Sequence, residues 1–332
     1  MIVVGGSAGS FYPLHDFVAG LPADLPASVL VVIHRGERAP SHLARILSRA
    51  GPLSATEARH GEPIKRGHIY VGPPTLHLMT AYGWIRLSGG PRVNRHRPAV
   101  DVLFASTARW AGNHTIAVVL SGVLDDGAVG ASLVAHAGGR VLVQDPAEAN
   151  FANMPAAALA AAPHSRGLPS TALAGAAVDL IHNLIKSGRR PEMHLQRTEA
   201  AMDMTESDDP GFLAEGETKL TRMVCPECGG ALAQVDLPKI SYFRCHLGHQ
   251  YAPQSLAAAQ AETAEAKLWS AIAALEEQAA FQHYLDSLQS PGEAEPATEH
   301  AQIAEQVAQR AALLREQVRQ WTSEPATSLE PR

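Results

Sequence analysis

The sequence predicts an α/β fold: a doubly wound, mostly parallel sheet with an antiparallel hairpin insert, followed by a small cysteine-histidine module and a C-terminal helical hairpin. Three observations predict it. Short runs rich in Val, Ile and Leu alternate with helix-like stretches over residues 1–186, the rhythm of a βαβ sheet with helices on both faces. All three cysteines fall between Cys225 and Cys245. Residues 253–322 are rich in Ala, Glu, Gln and Leu, as long helices are.

The strands are expected at Ile2–Val4, Ser28–Ile33, Thr115–Leu120 and Arg140–Val143. Their uninterrupted apolar character suits strands buried on both faces. Helices are expected at Phe11–Leu21, Ser41–Ala50 with Ser41 as cap, Pro98–Trp110, Ala128–Ala137 and Pro155–Ala162. Residues 52–90 break the rhythm. His68–Val71, Leu76–Thr80 and Trp84–Leu87 alternate, with Tyr82-Gly83 turning between the last two, and the region reads as a hairpin insert at an antiparallel edge of the sheet. Residues 187–222 read as a linker, acidic and turn-rich at Glu206–Gly211. The cysteine module follows at 223–252. The helical hairpin occupies 253–322, broken at Ser290-Pro291-Gly292, with a stripe of Leu268, Trp269, Ile272, Leu275 and Ala279. Residues 323–332 read as a frayed tail.

Bulk properties narrow the function. The chain has 332 residues, enough for two domains with one large core. A net charge of −6 with no basic stripe argues against nucleic-acid binding. No run of 18 apolar residues offers a membrane span, and the N-terminus lacks the pattern of an export signal, so the expected compartment is the cytoplasm. Three cysteines do not suggest a secreted disulfide framework. Met1 falls almost inside the first strand, which leaves a start a few residues upstream open.

Three residues stand where strands end. Ser7, in Gly5-Gly6-Ser7-Ala8-Gly9, follows the first strand through a glycine turn. His34 ends the second, and Asp126 follows the third through Ser121–Asp125. A serine hydroxyl is a poor nucleophile near neutral pH; it needs a base, and the base an orienting carboxylate. Loops at the carboxyl ends of parallel strands are where such groups meet. The simpler readings are a plain turn for the glycines, a hydrogen-bonded strand-end histidine, and a helix-capping carboxylate in Asp125-Asp126-Gly127. The dinucleotide fingerprint is absent, because Ser7 takes the second glycine's place. The order serine, histidine, aspartate differs from that of α/β-hydrolases.

Cys225-Pro226-Glu227-Cys228 and Cys245-His246-Leu247-Gly248-His249 are two knuckles at zinc-site spacing. The expected ligands are Cys225, Cys228, Cys245 and His249, with His246 competing for the fourth place. A filled four-ligand site is structural and leaves no open position for substrate. Catalysis itself calls for no cofactor.

Gly5-Gly6-Ser7-Ala8-Gly9, Val31-Val32-Ile33-His34, His96–Phe104, Leu120-Ser121-Gly122 with Asp125-Asp126-Gly127, and Val143-Gln144-Asp145 with Asn153-Met154-Pro155 closely resemble the catalytic domain of chemotaxis protein-glutamate methylesterases. The resemblance covers about residues 1–186. It implies hydrolysis of glutamyl methyl esters on chemoreceptors, with glutamine deamidation as a second activity. By motif position it implies Ser7 as nucleophile, His34 as base and Asp126 as orienting acid. Ala8 and Val123 fall by the same motifs at the backbone near the oxyanion, and Met154 matches the family either as a cleft residue or as a core residue at a helix start. Arg97 and Arg35 are pocket candidates by charge, for an acidic methylated segment, with solvated surface charge the plainer reading of Arg35. The family usually has threonine at Ala8, and Met and Gly at Val123 and Leu124, so these positions leave open a different ester or amide substrate. A non-catalytic signalling adaptor, acting through the zinc-ribbon-like module and the helical hairpin, is the alternative from another class. Family members often carry a receiver domain before the esterase; this chain begins at the esterase strand and is expected to lack it. A similar cysteine-histidine module followed by helices is appended to some family members. The implied partner is a methylated chemoreceptor or a related signalling protein, with the hairpin available for protein contacts.

Overall fold

The computed structural model describes residues 1–36, 42–188, 218–288 and 299–323. Ser41, most of the expected linker, the Ser290–Gly292 break and all of the expected tail but Ser323 lie outside the described residues. Residues Met1–Ala257 form one compact unit and Ala258 onward a second.

In chain order the first unit contains β1 (Ile2–Gly6), α1 (Phe11–Ala19), β2 (Val29–Ile33), α2 (Leu43–Ala50), β3 (Ser54–Glu57), β4 (His68–Val71), β5 (His77–Ala81) and β6 (Trp84–Ser88). It continues with α3 (Val100–Ala111), β7 (Ile116–Val119), α4 (Ala128–His136), β8 (Arg140–Gln144), α5 (Asn153–Ala161), β9 (Arg166–Leu168) and α6 (Ser170–Lys186). The cysteine module contributes β10 (Thr218–Val224), β11 (Ala231–Asp236), β12 (Ser241–Cys245) and β13 (Gln250–Tyr251). Helix α7 (Pro253–Ser287) begins in this unit, and α8 (Glu299–Ser323) lies in the second.

The main sheet has seven strands in the order β3-β4-β2-β1-β7-β8-β9. Every pairing in it is parallel. The chain builds outward from β1 to one side through β2, then returns and builds to the other side from β7. The carboxyl end of β1 is therefore the topological switch point, where crevices open in sheets of this kind.

Side chains alternate across the strands, and each face buries its own set. Ile2, Val4, Val29, Val31, Ile116 and Val118 pack under α1, α2 and α6 through Phe17, Leu47 and Leu173. Val3, Leu30, Val32, Ala117, Val119 and Val143 pack under α3, α4 and α5 through Phe104, Ala131 and Ala158.

Two expectations need correction. His68–Val71 is not part of an antiparallel edge: β4 is an interior parallel strand, paired with β2 on one side and β3 on the other. Only β5 and β6 form an antiparallel hairpin, and they make a separate two-stranded sheet. A four-residue alternating run fixes neither the partner nor the direction of a strand, which is why His68–Val71 was read with the antiparallel runs that follow it. The span read as linker ends early, because residues from Thr218 already form β10 and pair with β11.

The module is a four-stranded antiparallel sheet in the order β10-β11-β12-β13. Val235, Tyr242 and Ala252 of the module share a buried cluster with Val93, Ala99, Val102, Ala105 and Val129. In the second unit Ile272 and Ala279 of α7, and Ala304, Val307, Ala311 and Val318 of α8, are buried. Gln282 accepts from His300 at 2.7 Å and Glu276 pairs with Arg315. Trp269 departs from the expected stripe and is exposed.

Candidate active site

Ser7 follows the last residue of β1. Its amide donates to Ser121 O (2.9 Å), and its carbonyl accepts from the buried Ser10 hydroxyl (2.6 Å), closing the glycine turn. Glycine is required just before it: a Cβ on Gly5 would lie 2.1 Å from Val100 Cγ1, so β1 and α3 approach too closely for any side chain. On the next strand the His34 amide donates to Gly6 O (3.1 Å), which carries the parallel ladder to the turn and sets the imidazole beside β1.

His34 Nε2 lies 2.7 Å from Asp126 Oδ2, and both side chains are almost fully buried. With the Nε2 proton donated to Asp126, Nδ1 carries the free lone pair. Nδ1 is buried and has no hydrogen-bond partner, so the Ser7 hydroxyl is not bonded to it in this structure. Of the two expected side-chain contacts, His34–Asp126 is present and Ser7–His34 is not. Catalytic hydrogen bonds are often long or unformed without substrate.

Asp126 does two things at once. Helix α3 has Ala99 at its N-cap and no side-chain cap of its own. Asp126 Oδ2 accepts from Val100 N (2.7 Å) and Oδ1 from Asp101 N (3.1 Å), so the carboxylate caps the helix and sits at the positive end of its dipole. Oδ1 also accepts from Asn94 Nδ2 at 2.9 Å. Burial works against the charged form of Asp126. The His34 hydrogen bond and the Val100 amide are among the groups that prevail and hold it below the usual carboxylate range. Its neighbour Asp101 is pushed well above that range, by burial and then by the Asp126 charge. The pair therefore carries its charge on Asp126.

Two histidines frame the pair. His96 stacks on His34 with ring centroids 3.6 Å apart and 13° between planes. Burial above all lowers His96 to about 4, so it is neutral near pH 7. His77 is fully buried and is lowered to about 4, chiefly by burial. Its Nε2 donates to Pro91 O (2.9 Å), and its Nδ1 accepts from Ala99 N (3.2 Å), which needs the neutral ring.

Gly122 presses between the Ser7 turn and Met154. A Cβ there would meet Met154 Sδ at 2.0 Å and Ser7 Cβ at 2.9 Å. Met154 is thus packed beneath the Gly122 backbone, fully buried, and its amide donates to Gly122 O (3.0 Å). The Ser7 and Gly122 amides are committed to Ser121 O and Phe151 O. The amides of Ala8 and Val123 carry no hydrogen bond among the described residues. Val123 is 45% exposed, and Leu124 takes a left-handed φ of 62° to turn the chain toward Asp125. The Arg97 guanidinium donates to Gly89 O (2.6 Å) and Gly90 O (2.8 Å), and Arg35 donates to Gly72 O (2.9 Å), so both side chains are tied to loops.

The other cluster lies in the module. Ligand atoms of Cys225, Cys228, Cys245 and His249 fall within 4.8 Å of one another. Cys228 Sγ is 3.6 Å from Cys245 Sγ, and His249 Nδ1 is 3.7 Å and 3.5 Å from Cys225 and Cys245 Sγ. A tetrahedral ion with metal–sulfur bonds of about 2.3 Å sets edges of about 3.6–3.8 Å, so the donors fit zinc. Both knuckles turn alike: Gly229 N donates to Cys225 O and Gly248 N to Cys245 O. Glu227 Oε2 lies 3.3 Å from His249 Nε2, as a carboxylate orienting a ligating imidazole does. His246 is outside the set; its ring packs against Gly230.

Sequence reasoning gave no role to Asn94, Asp101, His77 or His96. Only His96 and Asp101 had a signal, inside the stretch of family resemblance.

A fully parallel sheet that delivers serine, histidine and aspartate to one switch point defines a doubly wound α/β protein with a strand-end polar site. The chain belongs to the CheB methylesterase family, whose model matches residues 2–176. It is 38% identical over 164 residues to "Protein-glutamate methylesterase/protein-glutamine glutaminase 1" of Geobacter metallireducens, covering 48% of this chain and 45% of the relative. To the protein of that function in Thiobacillus denitrificans it is 39% identical over 164 residues, 48% and 46% of the two chains. The chain spans about half the length of the curated relatives it matches. The Thermotoga maritima CheB methylesterase catalytic domain superposes with a TM-score of 0.50 at 30% identity, covering 54% of this chain and 97% of that one.

Proposed function

We propose that this chain is a serine hydrolase that removes methyl esters from glutamyl side chains of chemoreceptors, with glutamine deamidation as a related activity. The 2.7 Å bond from His34 Nε2 to a carboxylate held ionised carries the reading, because it leaves Nδ1 the lone pair a base needs, at the end of the strand paired with the one that leads into Ser7.

Ser7 Oγ attacks the ester carbonyl while His34 Nδ1 takes its proton. Asp126 balances the imidazolium. The Ala8 and Val123 amides are the donors for the oxyanion, each worth roughly 2.7–4 kcal/mol. Collapse breaks the bond to methoxide, which takes the proton from Nδ1 and leaves as methanol. Water, deprotonated by the same nitrogen, then attacks the acyl-serine and frees a glutamate and Ser7. No step needs a cofactor.

We assign zinc to the Cys225, Cys228, Cys245 and His249 site, where these four residues would hold it and it would brace the module. A reduced thiol site suits the cytoplasm, and no helix among the described residues is long and apolar enough to cross a membrane. We assign the helical hairpin, with Phe281, Tyr284, Leu313 and Trp321 exposed, to protein contacts.

Methanol release from a methylated receptor tests the substrate, and labelling by a fluorophosphonate tests the serine. Both are expected of the wild type. Labelling without methanol would favour another ester or amide, for which the exposed Val123 at the site is the motivating observation. Neither signal from folded protein would point to an adaptor.

A further inference from the structure

The proposal that follows rests on Asp126 being the acid of the site. Asp125 and Asp126 are consecutive and cap different helices. Asp126 caps α3. Asp125 is buried, and its Oδ2 accepts from Gln254 N (2.7 Å), while Oδ1 accepts from Ser255 N (3.0 Å) and Ser255 Oγ (2.5 Å). It therefore caps the first turn of α7, a helix that starts 127 residues after Asp126 and directly after the module. The orphan amides at that helix start have a partner from the catalytic loop.

Asn94 makes the second link. It is 1% exposed and takes a φ of 51°, a conformation asparagine tolerates better than most residues. Its Nδ2 donates to Asp126 Oδ1 (2.9 Å) and Asp101 Oδ2 (2.7 Å). Its Oδ1 accepts from Ala252 N (2.6 Å), and its own amide donates to Gln250 O (2.8 Å). The amide cannot be turned over. A flip would put its oxygen against the ionised Asp126 carboxylate and its NH2 against the Ala252 N–H. The module's backbone at Ala252 thus fixes which way Asn94 faces, and Asn94 fixes Asp126. Val93 and Ala99, beside these contacts, are buried against Val235, Tyr242 and Ala252 of the module.

We propose that the Gln250–Ser255 segment is a clamp on the acid of the site, acting through Asn94 and Asp125 as positioning residues, so that the reactivity of Ser7 depends on a segment of the C-terminal module. Neither residue touches the reacting atoms. Asn94 sets the rotation of the Asp126 carboxylate toward His34. Asp125 pins the loop that carries it. The ligands Cys245 and His249 immediately precede the clamp, so the module's fold bears directly on it.

The test uses the full-length chain and two readouts: the rate of fluorophosphonate labelling at Ser7, and the low-field proton resonance of the His34–Asp126 hydrogen bond. Asn94→Ala is expected to slow labelling by on the order of tenfold to a hundredfold, the scale of a small misplacement of a catalytic group, and to shift or broaden the low-field proton. Asp125→Ala is expected to do the same to a lesser degree, and Asp125→Asn, which keeps a capping oxygen, to recover much of the loss. If Asn94→Ala does not fold, the Asp125 pair decides. Folded variants with wild-type labelling and an unchanged low-field proton would overturn the clamp. A wild type that is not labelled would instead sink the hydrolase reading, and the proton resonance would still report whether the clamp exists.

Discussion

Asp126 and Cys225 are both buried, and each sits among groups that repel one another unless something positive intervenes. They are held in different ways. Asp126 receives four donors, two of them backbone amides at the start of α3, and α3 packs onto the sheet through Val100, Leu103 and Phe104. Its surroundings are placed by a large apolar core. The three thiols of the module have few apolar neighbours of that kind: Leu232, Val235, Tyr242 and Tyr251 are its buried apolar side chains of any size. A four-stranded sheet of that size does not stabilise itself without a staple. The crevice is set by folding, and on the zinc assignment proposed above a bound ion would help to set the fold of the module.

The sharpest way to break this contrast is to remove one atom from each region. Ser7→Ala removes the hydroxyl proposed as nucleophile and leaves the core untouched. It is expected to abolish labelling and to lower ester hydrolysis by on the order of 10³-fold or more, with zinc content unchanged. Retained hydrolysis would place the nucleophile elsewhere. Cys225→Ser should behave the opposite way in the module. Structural zinc binding in small modules is worth about 10–16 kcal/mol. Loss of one ligand is therefore expected to empty the site, measured as zinc per chain, and to expose residues 218–252 to protease. A full zinc complement would refute the ligand assignment.

The same contrast explains what the sequence could disclose. The interior strands β1, β2, β7 and β8 were legible because burial on both faces leaves uninterrupted apolar runs such as Val29–Ile33, whereas the short interior β4 was read into the hairpin insert. Edge strands were not. β3 reads Ser-Ala-Thr-Glu and β9 only Arg-Gly-Leu, since edges are short and polar by necessity. Ser7, His34 and Asp126 could be proposed because each follows an apolar run, and the structure brings His34 and Asp126 into contact while leaving Ser7 unbonded to His34. The cysteine spacing disclosed its own cluster. Asn94 carried no local signal, because its importance comes from a partner at Ala252, and pairing over that separation leaves no trace in a periodic pattern.

Acid separates the two regions by a smaller margin. His77 has a native value of about 4 against an ordinary 6.5, so it is neutral in the folded chain where the unfolded chain takes up a proton. Its contribution to stability is complete above pH 6.5, falls as the pH drops from 6.5 to 4, and is flat below. The full loss is about 3 kcal/mol at 1.36 kcal/mol per unit. His96 adds in the same direction. Imidazole resonances of both rings are expected to titrate near 4, and midpoints near 6.5 would contradict the burial argument. Zinc release followed in parallel tells this loss apart from protonation of the thiolates.

The smallest expected effect is the most local. Gly5→Ala places a methyl 2.1 Å from Val100 Cγ1, closer than any real contact, and the Val100 amide is one of the donors that hold Asp126. Relief requires α3 or β1 to move. Overpacking of this kind costs about 1–3 kcal/mol, read as a lowered midpoint of urea unfolding for the first unit. The movement also shifts the Val100 amide relative to Asp126 Oδ2, so labelling at Ser7 should slow further than the stability loss alone accounts for, while zinc remains at one per chain. An unchanged midpoint would mean that β1 and α3 have slack between them, and the claim that close strand–helix packing positions the carboxylate would fall with it.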